Sequence, residues 1–387
     1  MTDYGFTEDQ IMIRDLARQI AQEKIKPVRA HFDETGEFPA EIMEVLAESD
    51  LFGIFIPEEY GGLGGGALEL CIATEELSKV CGGIAVSYAA TALGAYPIIL
   101  FGSDEQKKKY LPDIASGKKL AAFGLTEPNA GSDAGGLETT AVKDGNDYIL
   151  NGSKIFITNG GVADIYTVVA MTNRAKGARG ASTFILEKGM EGFEFGKEED
   201  KLGIKASATR ELIFTDCRVP SANLVGREGM GFIVAMKTFD NSRPGIGAQA
   251  VGIAQGAIDE AVAYSTQRIQ FGQPISSFQA VRHMIADMAT KTEAARNLVY
   301  RAAAVVDSGV KDISKLSAMS KLFASDVAME VTVNAVQIFG GYGYMREYPA
   351  EKFMRDAKIT QIYEGTNQIQ RDVIGLETIK EAKAKNK

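Results

Sequence analysis

One carboxylate in this sequence has a setting that could give it a chemical role. Glu364 lies in the stretch QIYEGTNQIQ, between Tyr363 and Gly365. A helix is predicted to begin just after it, capped by Thr366 or Asn367. The dipole of that helix favours the charged carboxylate, whereas burial opposes it and raises the pKa. A lone glutamate near a helix start usually serves only as a favourable charge, so its surroundings decide its role.

Four segments combine residue types suited to holding a cofactor. They contain small and hydroxylated residues after a strand, an aromatic beside a threonine, Arg268 beside an aromatic and a turn, and a glycine pair upstream of Glu364. In chain order they are AAFGLTEPNAGSDAGG (121–136), KIFITNGG (154–161), QRIQFGQPISSFQ (267–279) and QIFGGYGYMREYPAEKFMRDAKITQIYEGTNQIQR (337–371). Any one of these glycines or aromatics alone is explained by turn chemistry or core packing.

Charge and cysteine usage exclude several classes of protein. The net charge of −9 argues against nucleic acid as a partner, although a phosphate-bearing small molecule needs only a local cationic pocket. Three cysteines form no CxxC pair, and the two histidines, His31 and His283, are far apart. We therefore expect no Cys/His metal site and a reduced, cytoplasmic protein. The thiols expected to be buried and inert are Cys71, Cys81 and Cys217.

No export or membrane signal is visible. The stretch MTDYGFTEDQ is acidic and lacks the basic and apolar regions of a secretory signal. The most apolar run, YAATALGAYPIILFG (88–102), is too short to span a membrane and is interrupted by Pro97. A buried core helix is predicted for it.

The elements that must position these residues change type twice along the chain. A capping box of Thr7 and Gln10 opens the first helical pattern, and others start at about Pro39, 66, 84 and 104. Near residue 120, short apolar runs predict strands, and Asn151-Gly152 is a strong hairpin signal. That region has no GxGxxG, which disfavours a Rossmann domain. Long helical patterns return at about 229–239, 242–268, 277–307, 313–338 and 367–383.

The motifs together resemble one family. TEPNAGSDAGG, NGSKIFITNGG, QRIQFGQPISSFQ, AVQIFGGYGYMREYP and MRDAKITQIYEGTNQIQR are similar, in order and spacing, to the flavoprotein acyl-CoA dehydrogenases. The resemblance runs from about Phe6 to about Ile379 and is strongest to the short- and medium-chain branch, including butyryl-CoA dehydrogenases. It implies an α+β fold with an N-terminal helical domain (1–119), a middle β-barrel-like domain (120–227) and a C-terminal helical bundle (228–387).

The resemblance also implies a cofactor and an assembly. FAD would lie between the β domain and the bundle of a homotetramer, partly held by a neighbouring subunit. The residues implied on the flavin side are Phe123, Leu125, Thr126, Ser132, Phe156 and Thr158. Those implied for the diphosphate and adenine, across the interface, are Arg268, Phe271, Gln279, Gln337, Gly340 and Gly341, and Thr366 and Gln368 would close the site.

The implied reaction removes an α proton and a β hydride from an acyl-CoA thioester, giving the 2-enoyl-CoA. Glu364 would be the base, and its backbone N–H with a flavin ribose hydroxyl would polarise the thioester carbonyl. Some members carry the base on an earlier bundle helix, but the matching position here is Ser242. Electrons would pass to an electron-transferring flavoprotein. An acyl-CoA oxidase that reduces O2 and a non-catalytic flavin or CoA scaffold are the rival hypotheses.

For the substrate, the resemblance points to the helix at 84–100, which has no charged residue. The acyl group should therefore be apolar, with a short linear chain first and a branched or alicyclic group such as cyclohexanecarboxyl as the alternative. Tyr88, Ala89, Thr91 and Leu93 would shape its end, or else pack in the core. The other residues implied on the substrate side are Ser132, Asp240, Arg243, Tyr363 and Gly365, and Asp240 and Arg243 could equally form a local ion pair.

Overall fold

A computed structural model describes residues 4–310 and 312–385 and shows helices, then strands, then helices, which confirms the predicted α+β architecture. The reciprocal capping box of Thr7 and Gln10 begins the first helix, as predicted. A short second helix was not predicted. The helices of the first region are α1 (Glu8–Ile20), α2 (Arg29–Thr35), α3 (Ala40–Glu48), α4 (Ala67–Ser78), α5 (Gly82–Phe101) and α6 (Asp104–Ala115).

The helix α5 runs through Pro97 without a break and packs against α4, α6, α7 and the sheet. Within the described residues, two segments are long and apolar enough to cross a membrane by length and composition alone: Gly82–Phe101 and Ser314–Tyr344. Of an apolar stretch of 18 residues within the first, 72% is buried inside the protein. This burial accounts for its apolar composition as a core helix, while the absence of a membrane span stays a prediction.

The middle region is one mixed sheet of eight strands, ordered β6-β7-β3-β2-β4-β5-β8, with β1 pairing in parallel with β4. Among the described residues the two end strands, β6 and β8, do not pair with each other, so the sheet is open. The strands are β1 (Ala121–Gly124), β2 (Thr140–Asp144), β3 (Asp147–Thr158), β4 (Ile165–Met171), β5 (Ala181–Glu187), β6 (Phe193–Glu198), β7 (Thr209–Pro220) and β8 (Leu224–Val225).

The predicted hairpin turn at Asn151-Gly152 is wrong. Strand β3 continues through both residues, with a register shift against β7 at this point. The Asn151 side chain donates to Asp216 Oδ1 at 3.0 Å and accepts from the Asp216 backbone N–H at 2.8 Å. Gly152 lets the chain approach Thr139 closely. A β-bulge therefore uses the residues that would otherwise form a turn, and the hairpin closes instead at 144–147.

The last region is a helical bundle with two corrections. The helices predicted at 229–239 and 242–268 are one helix of 37 residues, since packing against α4, α5, α8 and α9 outweighs the unfavourable Pro244. A helix after Pro349 was not predicted. The elements are α7 (Gly231–Gln267), β9 (Ile269–Gln270), β10 (Gln273–Pro274), α8 (Gln279–Asp307), α9 (Ser314–Phe339), α10 (Ala350–Thr360) and α11 (Asn367–Lys385).

Candidate active site

A cavity of about 110 Å³ lies where the three regions meet. Helices α4 and α5 form one wall, and the ends of β1 and β3 form the second. Helix α7 and the turn between α10 and α11 form the third. Glu364 and Tyr363 line it from that turn, and Phe123, Leu125 and Phe156 line it from the strands.

Glu364 occupies a strained turn. Its φ is 52° and that of Gly365 is 92°, so two successive residues adopt left-handed backbone. At the φ of 92° any residue with a Cβ would be strained at position 365, which favours glycine there. Thr366 accepts a hydrogen bond from the Ile369 N–H at 3.3 Å and caps α11, as predicted.

Side chains from the surrounding helices hold this turn by its carbonyl oxygens. Arg243 Nε donates to the Glu364 carbonyl at 3.2 Å. Gln370 Nε2 donates to the carbonyls of Glu364 at 3.2 Å and Gly365 at 2.9 Å. Lys321 Nζ donates to the Gly365 carbonyl at 2.8 Å. These bonds offset the backbone strain at Glu364, since a residue other than glycine costs about 1–3 kcal/mol in such a conformation.

The surroundings of the Glu364 carboxyl group raise its pKa. Burial raises the pKa of Glu364 to about 7, against a hydrogen bond from Ser242 and the charges of Arg243 and Lys321, which lower it. Ser242 Oγ donates to Glu364 Oε2 at 2.5 Å. The position that would hold the alternative base therefore contacts the carboxylate, and it can only assist Glu364.

Helix α5 turns a single face to the cavity. The lining residues on that face are Val86, Ala89, Ala90, Leu93 and Tyr96. Tyr88 and Thr91 lie on other faces and are fully buried. The Tyr88 hydroxyl donates to the Leu51 carbonyl at 3.0 Å, and Thr91 donates to the Ser87 carbonyl at 3.4 Å. Placing Tyr88 and Thr91 at the pocket end is corrected, since one step along a helix rotates a side chain by about 100°.

The strand side contains most of the residues predicted to face a flavin. Phe123, Leu125, Thr126, Phe156 and Thr158 all line the cavity. Phe156 has a φ of 60° and lies where the β3–β7 register shifts, with its side chain 62% exposed. The bulge therefore directs this aromatic ring out of the sheet and into the cavity.

A buried ion pair under the same segment was not predicted. Lys154, fully buried, donates to Glu127 Oε1 at 2.6 Å and to the Leu125 carbonyl at 3.1 Å. Glu127 also accepts from the backbone N–H groups of Glu138 at 2.5 Å and Thr139 at 3.1 Å. Both residues lie inside the quoted motifs, at TEP and GSK, and for Lys154 the signal that could have found it is a charge within an apolar strand pattern.

The residues predicted to hold a diphosphate and adenine lie elsewhere. Arg268, Gly340 and Gly341 line a second, open cavity at the ends of α7 and α9. The Arg268 guanidinium lies 5.4 Å from the centroid of the Tyr342 ring. A Cβ on Gly340 or Gly341 would meet nothing within 4 Å, so both leave open space beside a cation.

Other predicted cofactor residues line neither cavity. Phe271 is 93% exposed with a φ of 51°, and its ring is edge-on to Phe278 at 5.9 Å. This is an aromatic side chain presented to a surface rather than to the core of the chain. The remaining predicted residues are also exposed and are Ser132, Gln279, Gln337 and Gln368.

Asp240 and Arg243 are both buried on α7. Arg243 NH1 lies 3.7 Å from Asp240 Oδ1, so the local ion pair is present. Asp240 also accepts from Ser314 Oγ at 2.6 Å. Tyr363 donates its hydroxyl to Gln249 Oε1. Neither Asp240 nor Arg243 lines the cavity, and their contact with a ligand stays a prediction.

All three cysteines are buried free thiols, as predicted. In the part of the chain that the structure describes, no group of three or more His, Cys, Asp and Glu side chains could hold a metal ion. The buried Tyr96 hydroxyl lines the main cavity and has no hydrogen-bond partner among the described residues. The site is thus a mainly apolar cavity with one carboxylate whose pKa is raised to about 7. Enzymes that transfer a proton in a site shielded from water use carboxylates of this kind.

Comparison with known proteins identifies the family. The family models for the acyl-CoA dehydrogenase N-terminal, middle and C-terminal domains match residues 7–118, 122–217 and 229–378. The short-chain specific acyl-CoA dehydrogenase of Clostridium acetobutylicum is 52% identical over 96% of this chain and 98% of its own. The acryloyl-CoA reductase (NADH) of Anaerotignum propionicum is 51% identical over 98% and 96%.

Solved structures agree. Butyryl-CoA dehydrogenase from Megasphaera elsdenii is 49% identical, covers 98% of this chain and 100% of its own, and superposes with a TM-score of 0.95. A chain from work on the electron transferring flavoprotein of Acidaminococcus fermentans, towards a mechanism of flavin-based electron bifurcation, is 55% identical with a TM-score of 0.95 and coverages of 97% and 98%. An acyl-CoA dehydrogenase from Bacillus anthracis complexed with FAD is 36% identical with a TM-score of 0.93, covering 100% of this chain and 69% of that one.

The fold and site therefore define a three-region oxidoreductase with an apolar site between its regions. The chain belongs to the acyl-CoA dehydrogenase family. Proteins of this family are flavin-dependent oxidoreductases, so the predicted enzyme class is confirmed. The resemblance to the short-chain and butyryl-CoA branch is also confirmed, at about 50% identity.

Proposed function

We propose that the protein dehydrogenates a short, apolar acyl-CoA at its α and β carbons, with Glu364 as the base that takes the α proton. The observation that carries this proposal is the Glu364 carboxylate facing an apolar cavity, with its pKa raised to about 7. A base of near-neutral pKa is ionised at physiological pH and still binds a proton strongly enough to assist its removal.

An apolar acyl group fits the cavity, which the flavin ring would share. Leu70, Val86, Ala90, Leu93 and Ile246 give it apolar walls. The relatives described as short-chain specific and as butyryl-CoA dehydrogenase support a short linear chain. A compact branched or alicyclic acyl group remains the alternative.

The cofactor proposed is FAD, as in the Bacillus anthracis structure. Phe156, Thr126 and Thr158 line the cavity from the strand side and would contact the flavin ring, and Gly340 and Gly341 leave open space beside Arg268 for an anionic group. FAD, when bound, supplies the acceptor for the β hydride. Phe271, Gln279 and Gln337 would act across an interface of a homotetramer, which their exposure supports.

The thioester carbonyl needs hydrogen-bond donors as charge develops on its oxygen. Among the described residues, no protein acceptor takes the backbone N–H of Glu364. Gly365 and the capped α11 keep this turn in place, so the backbone N–H of Glu364 stays available to a ligand beside the carboxylate. Glu364 would thus contribute both the base and one donor to the carbonyl.

Turnover in the reducing direction is a second candidate. The relative described as acryloyl-CoA reductase (NADH) is 51% identical over nearly the whole chain. A carboxyl group with a pKa of about 7 can return a proton to the α carbon as readily as it removes one. The chemistry of Glu364 is the same in both directions, and the redox partner decides which direction prevails.

We propose an electron-transferring flavoprotein as the electron acceptor. The support is that the similar chain described above comes from work on the electron transferring flavoprotein of Acidaminococcus fermentans. We also propose that the domains meet at 119/120 and 227/228, that the protein is a homotetramer and that it is located in the cytoplasm. An acyl-CoA oxidase is the rival. Stoichiometric hydrogen peroxide formed without an added acceptor would favour the oxidase.

Anaerobic titration with a panel of acyl-CoAs tests the proposal. Butyryl-CoA should bleach the flavin band without a large excess of thioester over flavin, whereas long-chain and ω-carboxylated acyl-CoAs should not bleach it. Isobutyryl- and cyclohexanecarboxyl-CoA test the branched and alicyclic alternative. Bleaching by none of these thioesters would contradict the proposal and leave a flavin- or CoA-binding scaffold.

A further inference from the structure

Lys321 is a buried lysine beside the base whose role the proposed reaction does not use. It lies on α9 and is fully buried, although lysine is almost never buried without a charged partner. Its Nζ donates to the Gly365 carbonyl at 2.8 Å and to Asn367 Oδ1 at 2.8 Å. Both acceptors are neutral, and both follow Glu364 in the chain: Gly365 directly, and Asn367 as the first residue of α11.

The same stretch of α9 holds the far side of this turn. Asn367 Nδ2 donates to Ser325 Oγ at 2.9 Å and to Asp326 Oδ1 at 2.7 Å. Gln361 Nε2, at the start of the turn, also donates to Asp326 Oδ1 at 2.7 Å. Lys321, Ser325 and Asp326 therefore attach both ends of the Glu364 turn to successive turns of one helix.

The charge of Lys321 has no carboxylate in direct contact. Among the described residues no carboxylate lies within ion-pair distance of Nζ. Burial lowers the pKa of Lys321 to about 7, against Glu364 and Asp326, whose negative charges raise it, while Arg243 lowers it further. Asp326 is already engaged by Arg371 at 2.8 Å. Glu364 is thus the carboxylate on which this charge chiefly acts.

We propose that Lys321 is a positioning residue for the base: it holds the left-handed Glu364–Gly365 turn through the Gly365 carbonyl, and its buried positive charge favours the ionised form of Glu364. This inference rests on the proposed role of Glu364. The other charge facing Glu364 is Arg243 from α7, which is paired with Asp240 on its own helix. Lys321 is the facing charge without such a partner.

The chain offers a matched pair of variants. Lys321→Met removes one donor to the Gly365 carbonyl and the charge, whereas Gln370→Leu removes another donor to the same carbonyl and no charge. Lys321→Gln keeps an amide donor without the charge, and Lys321→Arg keeps the charge. Anaerobic flavin reduction by butyryl-CoA is measured for each from pH 5 to 9, with flavin content as a check on folding.

Both Lys321→Met and Gln370→Leu should reduce flavin more slowly, because each loosens the turn. Only Lys321→Met and Lys321→Gln should also move the acid limb of the pH profile upward by about one unit, the lower end of the effect of a nearby opposite charge. Lys321→Arg should keep the limb in place. An unmoved limb in Lys321→Met, or an equal shift in Gln370→Leu, would overturn the proposal.

A second readout separates this inference from the assignment of the base. Infrared difference spectra of protein labelled with carbon-13 glutamate follow ionisation of Glu364, whose band is the one lost in Glu364→Gln. The band should titrate about one unit higher in Lys321→Met than in the unsubstituted protein. If Glu364→Gln still reduced flavin, the base assignment would fail, yet the infrared shift would still decide the effect of Lys321. An unshifted band would refute that effect even with Glu364 confirmed as the base.

Discussion

Two carboxylates in this protein, Glu127 and Glu364, have pKa values shifted in opposite directions. Burial alone would raise the pKa of Glu127, but Lys154 in direct contact, with backbone N–H donors, brings it below its ordinary value. Burial raises the pKa of Glu364 to about 7, because its one direct side-chain donor is the neutral Ser242. A contacting lysine thus fixes one carboxylate as a structural anion, and the other remains free to exchange a proton.

The lysines differ in the same way. Lys154 donates to a carboxylate at 2.6 Å, whereas Lys321 donates to a carbonyl and an amide oxygen. Burial lowers the pKa of both, to about 8 for Lys154 and about 7 for Lys321. The charge of Lys154 is neutralised by contact with Glu127, so it stabilises the segment that the pair holds. Lys321 contacts the residue after Glu364 and not its carboxylate, so its charge can shift the pKa of Glu364 and still leave that carboxylate able to exchange a proton.

The largest effect should come from Glu364→Gln. The amide keeps the shape of the side chain but cannot accept the α proton. Flavin reduction by butyryl-CoA should therefore slow about 10²–10⁴-fold, the usual contribution of a general base. Stopped-flow spectroscopy under anaerobic conditions measures this rate. Bound flavin should be retained.

Glu127→Gln is the matched control for that substitution, because it also removes a buried carboxylate next to the cavity. Flavin reduction in its folded fraction should remain within about tenfold of the unsubstituted protein, since Glu127 contacts backbone and lysine only. A rate for Glu364→Gln within tenfold of the unsubstituted rate would remove the functional half of the comparison.

The next effect concerns stability. Lys154→Met leaves Glu127 buried without its cation, and removing one member of a buried pair costs about 3–5 kcal/mol. Urea unfolding of the flavin-bound protein at pH 7 should show this loss. The double variant Lys154→Met/Glu127→Gln should recover part of it, because no uncompensated charge remains. A double variant less stable than Lys154→Met would show that the pair does not act as a charge pair.

The acid dependence of this pair has a definite sign. The pKa of Glu127 is lowered in the folded protein, so its contribution to stability is present above the unfolded pKa of 4.5 and is lost as the pH falls through its lowered folded value. The gap in stability between the unsubstituted protein and Glu127→Gln should therefore narrow below about pH 4.5.

Sequence could predict the members of the site that lie within continuous motifs. The resemblance implied Phe123, Leu125, Thr126 and Phe156 on the flavin side, and all four line the cavity. It also implied Glu364, which lines the same cavity. Arg268 was found beside an aromatic and a turn, and the structure brings Gly340 and Gly341 to it.

What sequence could not predict depends on contacts between distant residues. Lys321 lies in SKLSAMSKLF, where a lysine reads as a solvent-exposed position, and only the packing of α9 on the turn 44 residues later buries it. Tyr88 was misplaced because α5 is apolar on every face, so its pattern does not reveal which side lines a cavity. Asn151-Gly152 was misread because Asp216, on another strand, engages the asparagine.

The smallest effect should come from Ser242→Ala, which sharpens the contrast between the carboxylates without breaking either. The Ser242 hydroxyl lowers the pKa of Glu364 by a direct hydrogen bond, so its loss should raise that pKa from its value of about 7. Because the reaction needs the ionised carboxylate, flavin reduction should fall severalfold at pH 6 and little at pH 9, with the acid limb displaced by at most about one unit. Ser242→Thr keeps the hydroxyl and should restore the profile. A uniform loss across the whole pH range would mean that Ser242 acts through packing, and the raised pKa of Glu364 would then be set by burial and by the two facing cations alone.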